Sequence, residues 1–173
     1  MELKSLCGPS FGNNANNRCE EALGSGFDFR KAQSEGLFGI GAAPFLGYLI
    51  LVEDAAGSRS SVASNSPHFP TDASFHGASY QIRMRLMCER LVQHQLYTSA
   101  AVMSAPASTV SGDWLDLSAT TSFRSLLARL AAHLSAERET HRQDDGYLAE
   151  SPALYVHGQG LDGEIFESVE DGI

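Results

Sequence analysis

The segment from Phe45 to Val52 is the feature of this sequence that most limits the folds open to it. It is a nearly continuous apolar run that follows Pro44 and ends at the acidic pair Glu53-Asp54. A strand with one solvated face would alternate apolar and polar residues, and this run does not. The run therefore predicts a strand that is buried on both faces of a sheet.

Two later segments have the periodicity of amphipathic helices. The first runs from Ser79 to Tyr97, and the second begins at Thr120, Thr121 or Ser122. Between them, the segment from Ala100 to Ser104 predicts a short strand. The apolar residues of each helix recur at intervals of three and four, which places them on one core-facing stripe. The stripes contain Tyr80, Met84, Met87, Cys88 and Leu91 in the first helix and Phe123, Leu126, Leu127, Leu130 and Leu134 in the second.

The first 34 residues predict a strand, a loop and a helix. Residues 1–6 are predicted as a strand, and Gly8 to Asn17 as a loop, because proline, glycine and asparagine are concentrated there. A helix is predicted from about Asn17 to Ser34, with an asparagine as its cap. Glu20 and Glu21 would then lie in its first turn, where the helix dipole favours acidic side chains.

Glu2 and Lys4 are two residues apart on the predicted first strand, so their side chains point to the same face. A carboxylate and an ammonium group placed in this way suit the hydrolysis of a phosphodiester bond. The carboxylate binds Mg²⁺, which polarises the phosphate and activates water. The ammonium group positions the water and offsets the charge that develops on the phosphate oxygens. The alternative interpretation is a solvated pair at a frayed chain end, since so short a pattern also arises by chance.

Several polar residues are candidates for contacts with DNA, and each also has a structural interpretation. The asparagines of the predicted loop could contact phosphates or adenine edges, but asparagine is also common in turns and helix caps. Arg83, Arg90 and His94 share one face of the first amphipathic helix. They could bind phosphates, or they could form the solvated face of that helix.

The distribution of charge allows a nucleic-acid partner despite the net charge of −9. Ten of the 21 acidic residues lie within residues 137–173, where two arginines accompany them, so residues 1–136 are close to neutral. A neutral body can carry a local basic face. The acidic C-terminal segment lacks a helical period, so the sequence predicts a domain of residues 1–136 and a mobile tail of residues 137–173.

Cysteine content and apolar runs favour a reduced, cytoplasmic protein. The three cysteines, Cys7, Cys19 and Cys88, have no C-x-x-C spacing, which argues against a disulfide framework or a zinc site. The longest apolar run, Ala42 to Val52, is about half as long as the roughly 20 residues that span a bilayer. We therefore expect no membrane segment and no secretory signal.

These blocks of sequence, taken together, resemble the XhoI-type family of type II restriction endonucleases. The resemblance is most specific in the block from Gly8 to Asn14 and covers about three quarters of the chain, to about His133. The other matching residues are Glu2-Leu3-Lys4-Ser5, Asn16-Asn17-Arg18, Glu20-Glu21-Ala22, Leu46-Gly47-Tyr48-Leu49, Pro67-His68-Phe69, Gly77-Ala78-Ser79-Tyr80, Leu91-Val92 and Leu96-Tyr97.

The resemblance implies a fold, an activity and a set of partners. The fold is the α/β PD-(D/E)xK nuclease core, a mixed sheet flanked by helices with Mg²⁺ at its edge. The activity is the cleavage of double-stranded DNA by a homodimer that cuts each strand once at a palindrome, here CTCGAG. Such an enzyme belongs to a restriction-modification system and has a cognate DNA methyltransferase as its functional partner.

The resemblance also implies roles for individual residues. Glu2 and Lys4 match the catalytic Glu and Lys of the nuclease motif, with Glu2 as a metal ligand. Glu20 or Glu21 would add an auxiliary carboxylate from the following helix. The implied DNA-binding segment, together with the two helix arginines, gives the candidates Asn13, Asn14, Asn16, Asn17, Arg18, Arg83 and Arg90.

One feature of the family pattern is missing from this sequence. In that superfamily a metal-binding Asp comes from the strand before the Glu-x-Lys strand, and no strand precedes residue 2 here. Asp28 and Asp54 follow the motif, and neither is an evident substitute. We therefore expect the chain to correspond to the C-terminal part of such an enzyme, without its N-terminal helix and strands. Two other hypotheses stay open: a catalytically inactive remnant that at most dimerises or binds DNA weakly, and an unrelated α/β module.

Overall fold

A computed structural model of the chain describes residues 1–39, 43–64, 66–108 and 112–150, of which 143–150 are described by their helical backbone alone. The strands in these ranges are β1 (Glu2–Leu6), β2 (Gly47–Glu53), β3 (Ser99–Ala105) and β4 (Leu115–Asp116). The α-helices are α1 (Phe11–Ser34), α2 (Ala56–Arg59), α3 (Tyr80–Gln93) and α4 (Phe123–Glu150), and a single 3₁₀ turn covers Ala73–Phe75.

The strands form one sheet in the order β1-β2-β3-β4. β1, β2 and β3 are parallel to one another, and β4 runs antiparallel to β3. Parallel neighbours need a crossover connection, which α1 supplies between β1 and β2 and α3 supplies between β2 and β3. The prediction of an α/β fold with a mixed sheet flanked by helices is therefore confirmed.

The sheet face that carries the even-numbered residues forms the main core. Tyr48, Ile50 and Val52 of β2 are fully buried on this face, and α1 and α3 cover it. The predicted core positions of Cys88 and of the two helix methionines are confirmed. The residues that these two helices bury in the core are Phe11, Ala15, Ala22, Met84, Met87, Cys88 and Leu91.

Helix α4 packs on the opposite face, mainly against β3. Its residue Leu126 is fully buried, and a side chain built on Gly47 would lie 3.4 Å from it. At the other edge of the sheet, this face of β1 is exposed to solvent, and Leu3 is 67% exposed. Leu49 and Leu51 of β2 are only half-buried as a result. The prediction of a strand buried on both faces thus holds fully for one face and partly for the other.

Helix α1 begins at Phe11, well before the predicted start at Asn17. Phe11 is buried and stacks on Tyr80 of α3, with the ring centroids 6.1 Å apart. The burial of this ring and of Ala15 one turn later outweighs the weak helix propensity of glycine and asparagine. The predicted loop is therefore mostly helix, and the predicted asparagine cap is wrong.

The earlier start changes the place of the acidic pair within α1. Glu20 and Glu21 lie in the third turn rather than the first, so the helix dipole does not explain them. Farther along, Gly26 is needed because the ring of Tyr97 lies against the helix there. A side chain at Gly26 would meet Tyr97 Cε2 at 3.0 Å.

The other predicted helices and strands are confirmed, with shifts at their ends, but two residues of the predicted core-facing stripe of α4, Leu127 and Leu134, are 45% and 50% exposed. Helix α3 ends earlier than predicted, at Gln93, because Gln95 takes a φ of 58° that a helix cannot continue through. The predicted strand from Ala100 to Ser104 is β3. Helix α4 follows Ser122, whose hydroxyl accepts a hydrogen bond from the backbone N–H of Ser125 at 3.1 Å, as an N-cap does.

The predicted tail differs from expectation in its helical content. Two short elements, α2 and the 3₁₀ turn, lie between β2 and α3. Helix α4 continues through the predicted boundary at residue 136 to Glu150, and residues 151–173 lie outside the described residues. The division into a domain and a tail stays a prediction. None of the helices that the structure describes is long and apolar enough to cross a bilayer.

Leu126 tests the packing of α4 on the sheet. Leu126→Ala would leave a cavity under the helix, so we expect the free energy of unfolding to fall by about 2–4 kcal/mol. Leu127→Ala is the matched control, because Leu127 is 45% exposed, and we expect a loss below about 1 kcal/mol. Urea denaturation followed by circular dichroism measures both values, and equal losses would contradict the packing described here.

Candidate active site

Strand β1 brings Glu2 and Lys4 to the face of the sheet that α1 covers. Lys4 Nζ lies 3.7 Å from Glu2 Oε2, and the two side chains are 25% and 21% exposed. Leu3 and Ser5 alternate with them and are exposed on the opposite face. The predicted strand and the predicted common face are confirmed, and β1 is paired along its length with β2 rather than frayed.

Glu21 of α1 joins this pair. Its Oε2 lies 3.1 Å from Lys4 Nζ and also accepts a hydrogen bond from Arg18 Nη1. The hydrogen bond from Lys4, helped by the positive charge of Arg18, holds the pKa of the Glu21 carboxyl below its usual range. Glu20, the alternative candidate, is exposed and forms no ion pair with Lys4 in the described part of the chain. The structure thus brings Glu21, and not Glu20, to the Glu2–Lys4 pair.

Tyr97, just before β3, is a member of the cluster that the motif spacing does not reveal. Its hydroxyl donates a hydrogen bond to Glu2 Oε1 at 2.6 Å, and the carbonyl oxygen of Ala22 lies 3.2 Å from the same hydroxyl. Tyr97 is 1% exposed, and its ring meets Tyr48 edge-on with centroids 5.4 Å apart. Burial, and then the bond to Glu2, raises the pKa of the Tyr97 hydroxyl, which therefore remains a donor. The only sequence signal for it is its place in a block that resembles the family.

The two carboxylates of the cluster are not equally available. Glu21 is held by Lys4 and Arg18, whereas the contact between Glu2 Oε2 and Lys4 is longer, at 3.7 Å. Glu2 Oε2 is therefore the carboxylate oxygen with the weaker ion-pair contact, while Oε1 accepts the hydrogen bond from Tyr97. Mg²⁺ is commonly held by one or two protein carboxylates, with water and substrate phosphates as its other ligands. Among the described residues, no group of three His, Cys, Asp or Glu side chains is placed to hold a metal.

The two aspartates considered as substitutes do not join the cluster. Asp54 follows the C-terminal end of β2, where Arg59 and Gln81 donate hydrogen bonds to its Oδ1 at 2.9 and 3.0 Å. Asp28 is exposed on α1, about two turns beyond Glu21. Neither residue therefore adds a carboxylate to the Glu2–Lys4 pair within the described residues.

The asparagines proposed for DNA contacts lie on the first two turns of α1. Asn14 donates a hydrogen bond from Nδ2 to the carbonyl oxygen of Cys7 at 3.0 Å, which ties the helix to the end of β1. Asn13, Asn16 and Asn17 are exposed. Asn14 thus has a structural contact of the kind that the alternative interpretation describes, and a DNA-binding role for this group stays a prediction.

Arg83 and Arg90 lie on α3, where they hold the segment that precedes this helix. Arg83 Nη2 donates hydrogen bonds to the carbonyl oxygens of residues 62–63 at 3.1 and 3.3 Å. Arg90 Nη2 pairs with Asp72 Oδ2 at 3.0 Å. Both arginines and His94 border an apolar groove between α1 and α3. Their part in DNA binding also stays a prediction.

The lowered pKa of Glu21 predicts a pH-dependent contribution to stability. The ionised carboxylate stabilises the fold above about pH 4–5, and this contribution is lost as the pH falls through the lowered pKa. We therefore expect Glu21→Gln to lower the urea midpoint at pH 7, and the difference from the wild type to shrink as the pH falls below about 4. Glu20→Gln, on the same helix, should change neither midpoint. A deficit for Glu21→Gln that persists in full at the lower pH would contradict the assignment.

Comparisons with known proteins agree with these observations. The family model described as restriction endonuclease XhoI matches residues 1–116. The type II restriction enzyme XhoI of Xanthomonas vasicola is 43% identical over 134 residues, which are 78% of this chain and 51% of that enzyme. The type II restriction enzyme BstVI of Geobacillus stearothermophilus is 47% identical over 103 residues, which are 60% of this chain and 46% of that enzyme.

A third relative matches a shorter segment of the chain. The type II restriction enzyme AbrI of Azospirillum brasilense is 55% identical over 69 residues, 40% of this chain and 31% of that enzyme. The chain spans about half the length, or less, of these curated relatives. No solved structure matches it significantly. Because the family match includes β1, α1 and Tyr97, and therefore the whole cluster, this chain belongs to the XhoI restriction endonuclease family.

Proposed function

We propose that this chain acts as a type II restriction endonuclease, which hydrolyses phosphodiester bonds of double-stranded DNA at the palindrome CTCGAG with Mg²⁺. The observation that carries the proposal is the cluster of Glu2, Lys4 and Glu21 in a chain of this family. The relatives named above are type II restriction enzymes, which supports the same reaction here.

The cluster suggests a role for each of its residues. Glu2 is the residue that holds Mg²⁺, which when bound supplies a Lewis acid for the phosphate and lowers the pKa of attached water. Lys4 orients the attacking water and offsets charge on the phosphate oxygens in the transition state. Glu21 keeps the Lys4 ammonium group in place, and Arg18 keeps Glu21 in place. Lys4 thus acts from a fixed position rather than as a mobile surface lysine.

The proposal includes the way in which the protein meets DNA. The exposed asparagines of α1 and the neighbouring Arg18 face the duplex, and Arg83 and Arg90 add phosphate contacts from α3. Because the target is a palindrome, two copies related by a twofold axis cut one strand each. The host's own sites are protected by a cognate DNA methyltransferase, which is a functional and not a physical partner. The setting is the cytoplasm, where the host DNA lies.

A second candidate is a non-catalytic chain that at most dimerises or binds DNA weakly. One observation favours it: the described residues contain no group of three side chains placed to hold a metal. If Glu2 is its only ligand from the described part of the chain, Mg²⁺ would depend on water and phosphate oxygens for the rest of its coordination.

Cleavage of a plasmid that carries one CTCGAG site separates the two candidates. We expect a single linear product with Mg²⁺ and none with EDTA. Lys4→Ala should lower the rate at least about 100-fold, because it removes charge stabilisation in the transition state. The control is Lys31→Ala, near the other end of α1, where the lysine pairs with Glu35 at 2.7 Å. This variant should cut at the wild-type rate.

An intact plasmid under all conditions would overturn the catalytic proposal for this chain. Retention of a CTCGAG duplex in a gel-shift assay would then support a non-catalytic chain that binds DNA, and no retention would leave at most a chain that dimerises. Equal loss of activity in Lys4→Ala and Lys31→Ala would show that the catalytic role assigned to Lys4 is wrong.

Asn17 tests the proposed contact between α1 and DNA. Asn17→Asp places a negative charge at the proposed phosphate interface, so we expect the affinity for a CTCGAG duplex to fall about tenfold at physiological ionic strength. Ser25→Asp adds the same charge to an exposed position on the same helix. It is about 12 Å farther along, beyond a Debye length at physiological salt, and should have little effect. Fluorescence anisotropy measures both, and equal effects would contradict a contact at Asn17.

A further inference from the structure

We propose that Arg18 is a positioning residue that links the binding of DNA to the placement of Lys4. In the free chain Arg18 and Lys4 share the carboxylate of Glu21, and a DNA phosphate draws Arg18 away, so that Glu21 then holds Lys4 alone. This inference rests on the proposed function, because it takes DNA as the ligand of Arg18. It goes beyond that function in naming the contact through which the duplex acts on the proposed catalytic lysine.

The two cations compete for one oxygen atom of Glu21. Lys4 Nζ lies 3.1 Å from Glu21 Oε2, and Arg18 Nη1 donates a hydrogen bond to the same oxygen. Two positive groups beside one acceptor divide its charge and repel each other, so each weakens the hold of the other. The departure of Arg18 therefore strengthens the bond between Lys4 and Glu21. Lys4 then moves toward Glu21 and away from Glu2, whose Oε2 is 3.7 Å from Nζ in the free chain.

Glu21 leaves the hydrogen-bonding capacity of Arg18 incompletely used. A guanidinium group carries five N–H donors in a planar fork. Within the described part of the chain, Nη1 of Arg18 donates to Glu21, whereas Nε is buried and has no hydrogen-bond partner. A buried donor without a partner costs free energy. A phosphate group accepts two parallel hydrogen bonds from a guanidinium group, so the exchange of Glu21 for a phosphate gives Arg18 more partners.

The pair between Arg18 and Glu21 is also within reach of a ligand. The two side chains are 27% and 43% exposed, and ion pairs at such positions contribute little to stability. Arg18 directly follows Asn16 and Asn17, which are exposed on α1 and proposed to face DNA. A phosphate can therefore take Arg18 without disturbing the core. The two roles given to Arg18 above, holding Glu21 and facing the duplex, belong to the free and the DNA-bound states respectively.

The first part of the test asks whether Arg18 contacts a phosphate in the complex. Fluorescence anisotropy measures the affinity of the full chain for a CTCGAG duplex in EDTA at several salt concentrations. Loss of one phosphate contact lowers the slope of log affinity against log salt concentration by about one, which we expect for Arg18→Ala. Circular dichroism verifies that each variant is folded.

Arg30→Ala is the matched control for this measurement. Arg30 also lies on α1, and its Nε is likewise buried without a partner among the described residues. Its Nη1 donates to the neutral amide oxygen of Gln33 at 2.8 Å rather than to a carboxylate of the cluster. The salt slope of Arg30→Ala should equal that of the wild type.

The second part of the test follows the lysine side chains. The sequence contains two lysines, Lys4 and Lys31, so a chain labelled with ¹³C at the lysine Cε atoms gives two signals in an NMR spectrum, and Lys31→Arg identifies which is which. We expect a saturating duplex in EDTA to move the Lys4 signal and to leave the Lys31 signal in place. In Arg18→Ala the Lys4 signal should lie near the duplex-bound position before DNA is added, and saturation should move it less than half as far as in the wild type.

Four results would overturn the proposal. The first is a salt slope that is unchanged in Arg18→Ala or equally reduced in Arg30→Ala. The second is a Lys4 signal that the duplex moves equally in Arg18→Ala and in the wild type, because the duplex would then act on Lys4 directly. The third is an unbound Arg18→Ala chain whose Lys4 signal matches that of the unbound wild type. The fourth is a wild-type chain that does not bind the duplex.

Both measurements are made in EDTA, so their result is independent of the cleavage assay. A chain that shows both effects but does not cut the plasmid with Mg²⁺ loses the proposed activity and keeps the role of Arg18. A chain that cuts without showing them keeps the activity and loses that role.

Discussion

The parallel register between β1 and β2 is the constraint on which the rest of the site depends. It places Glu2 beside Tyr48 and Lys4 beside Ile50, so the polar residues of β1 adjoin the most deeply buried residues of the sheet. A slip of one residue would turn both polar side chains to the opposite face and bring Leu3 under α1. Burial of a charged side chain costs free energy, so Glu2 and Lys4 would not choose this position by themselves. The packing of the apolar residues of β2 places them there.

The cluster takes its members from separate parts of the fold, which fixes their mutual distances. Glu2 and Lys4 come from β1, Arg18 and Glu21 from α1, and Tyr97 from the segment before β3. Each of these parts is held by its own packing, and the polar contacts join them afterwards. Sites built on helices and strands keep a narrower geometry than sites built on loops. The ammonium group of Lys4 is thus held in a defined position by the fold itself.

The sequence predicts the elements whose evidence is local and misses those that depend on distant contacts. The strand β2 and the helices α3 and α4 follow from their hydrophobic periods, and the common face of Glu2 and Lys4 follows from strand alternation. The start of α1 does not follow, because local propensity favours a loop there. The contact that decides it, between Phe11 and Tyr80, joins residues far apart in the chain.

The same limit applies within the candidate site. Glu20 and Glu21 are equivalent in sequence, and only the rotation of α1 over β1 selects Glu21. Tyr97 lies 95 residues from Glu2, so no spacing rule links the two. The catalytic role proposed for Glu-x-Lys depends on the family resemblance, because neither composition nor periodicity distinguishes this pair from a chance one.

Arg83 and Arg90 of α3 both hold the segment that precedes this helix, but they differ in how much of their positive charge is neutralised. Arg90 faces a carboxylate, that of Asp72, and the pair acts at a distance as a dipole. The hydrogen-bond acceptors of Arg83 among the described residues are carbonyl oxygens, of Ala78 and residues 62–63, which carry no net charge. Neutral acceptors immobilise a guanidinium group without cancelling its long-range field. Arg83 can therefore hold its loop in place and still attract a polyanion toward this side of the molecule. One side chain can have both effects.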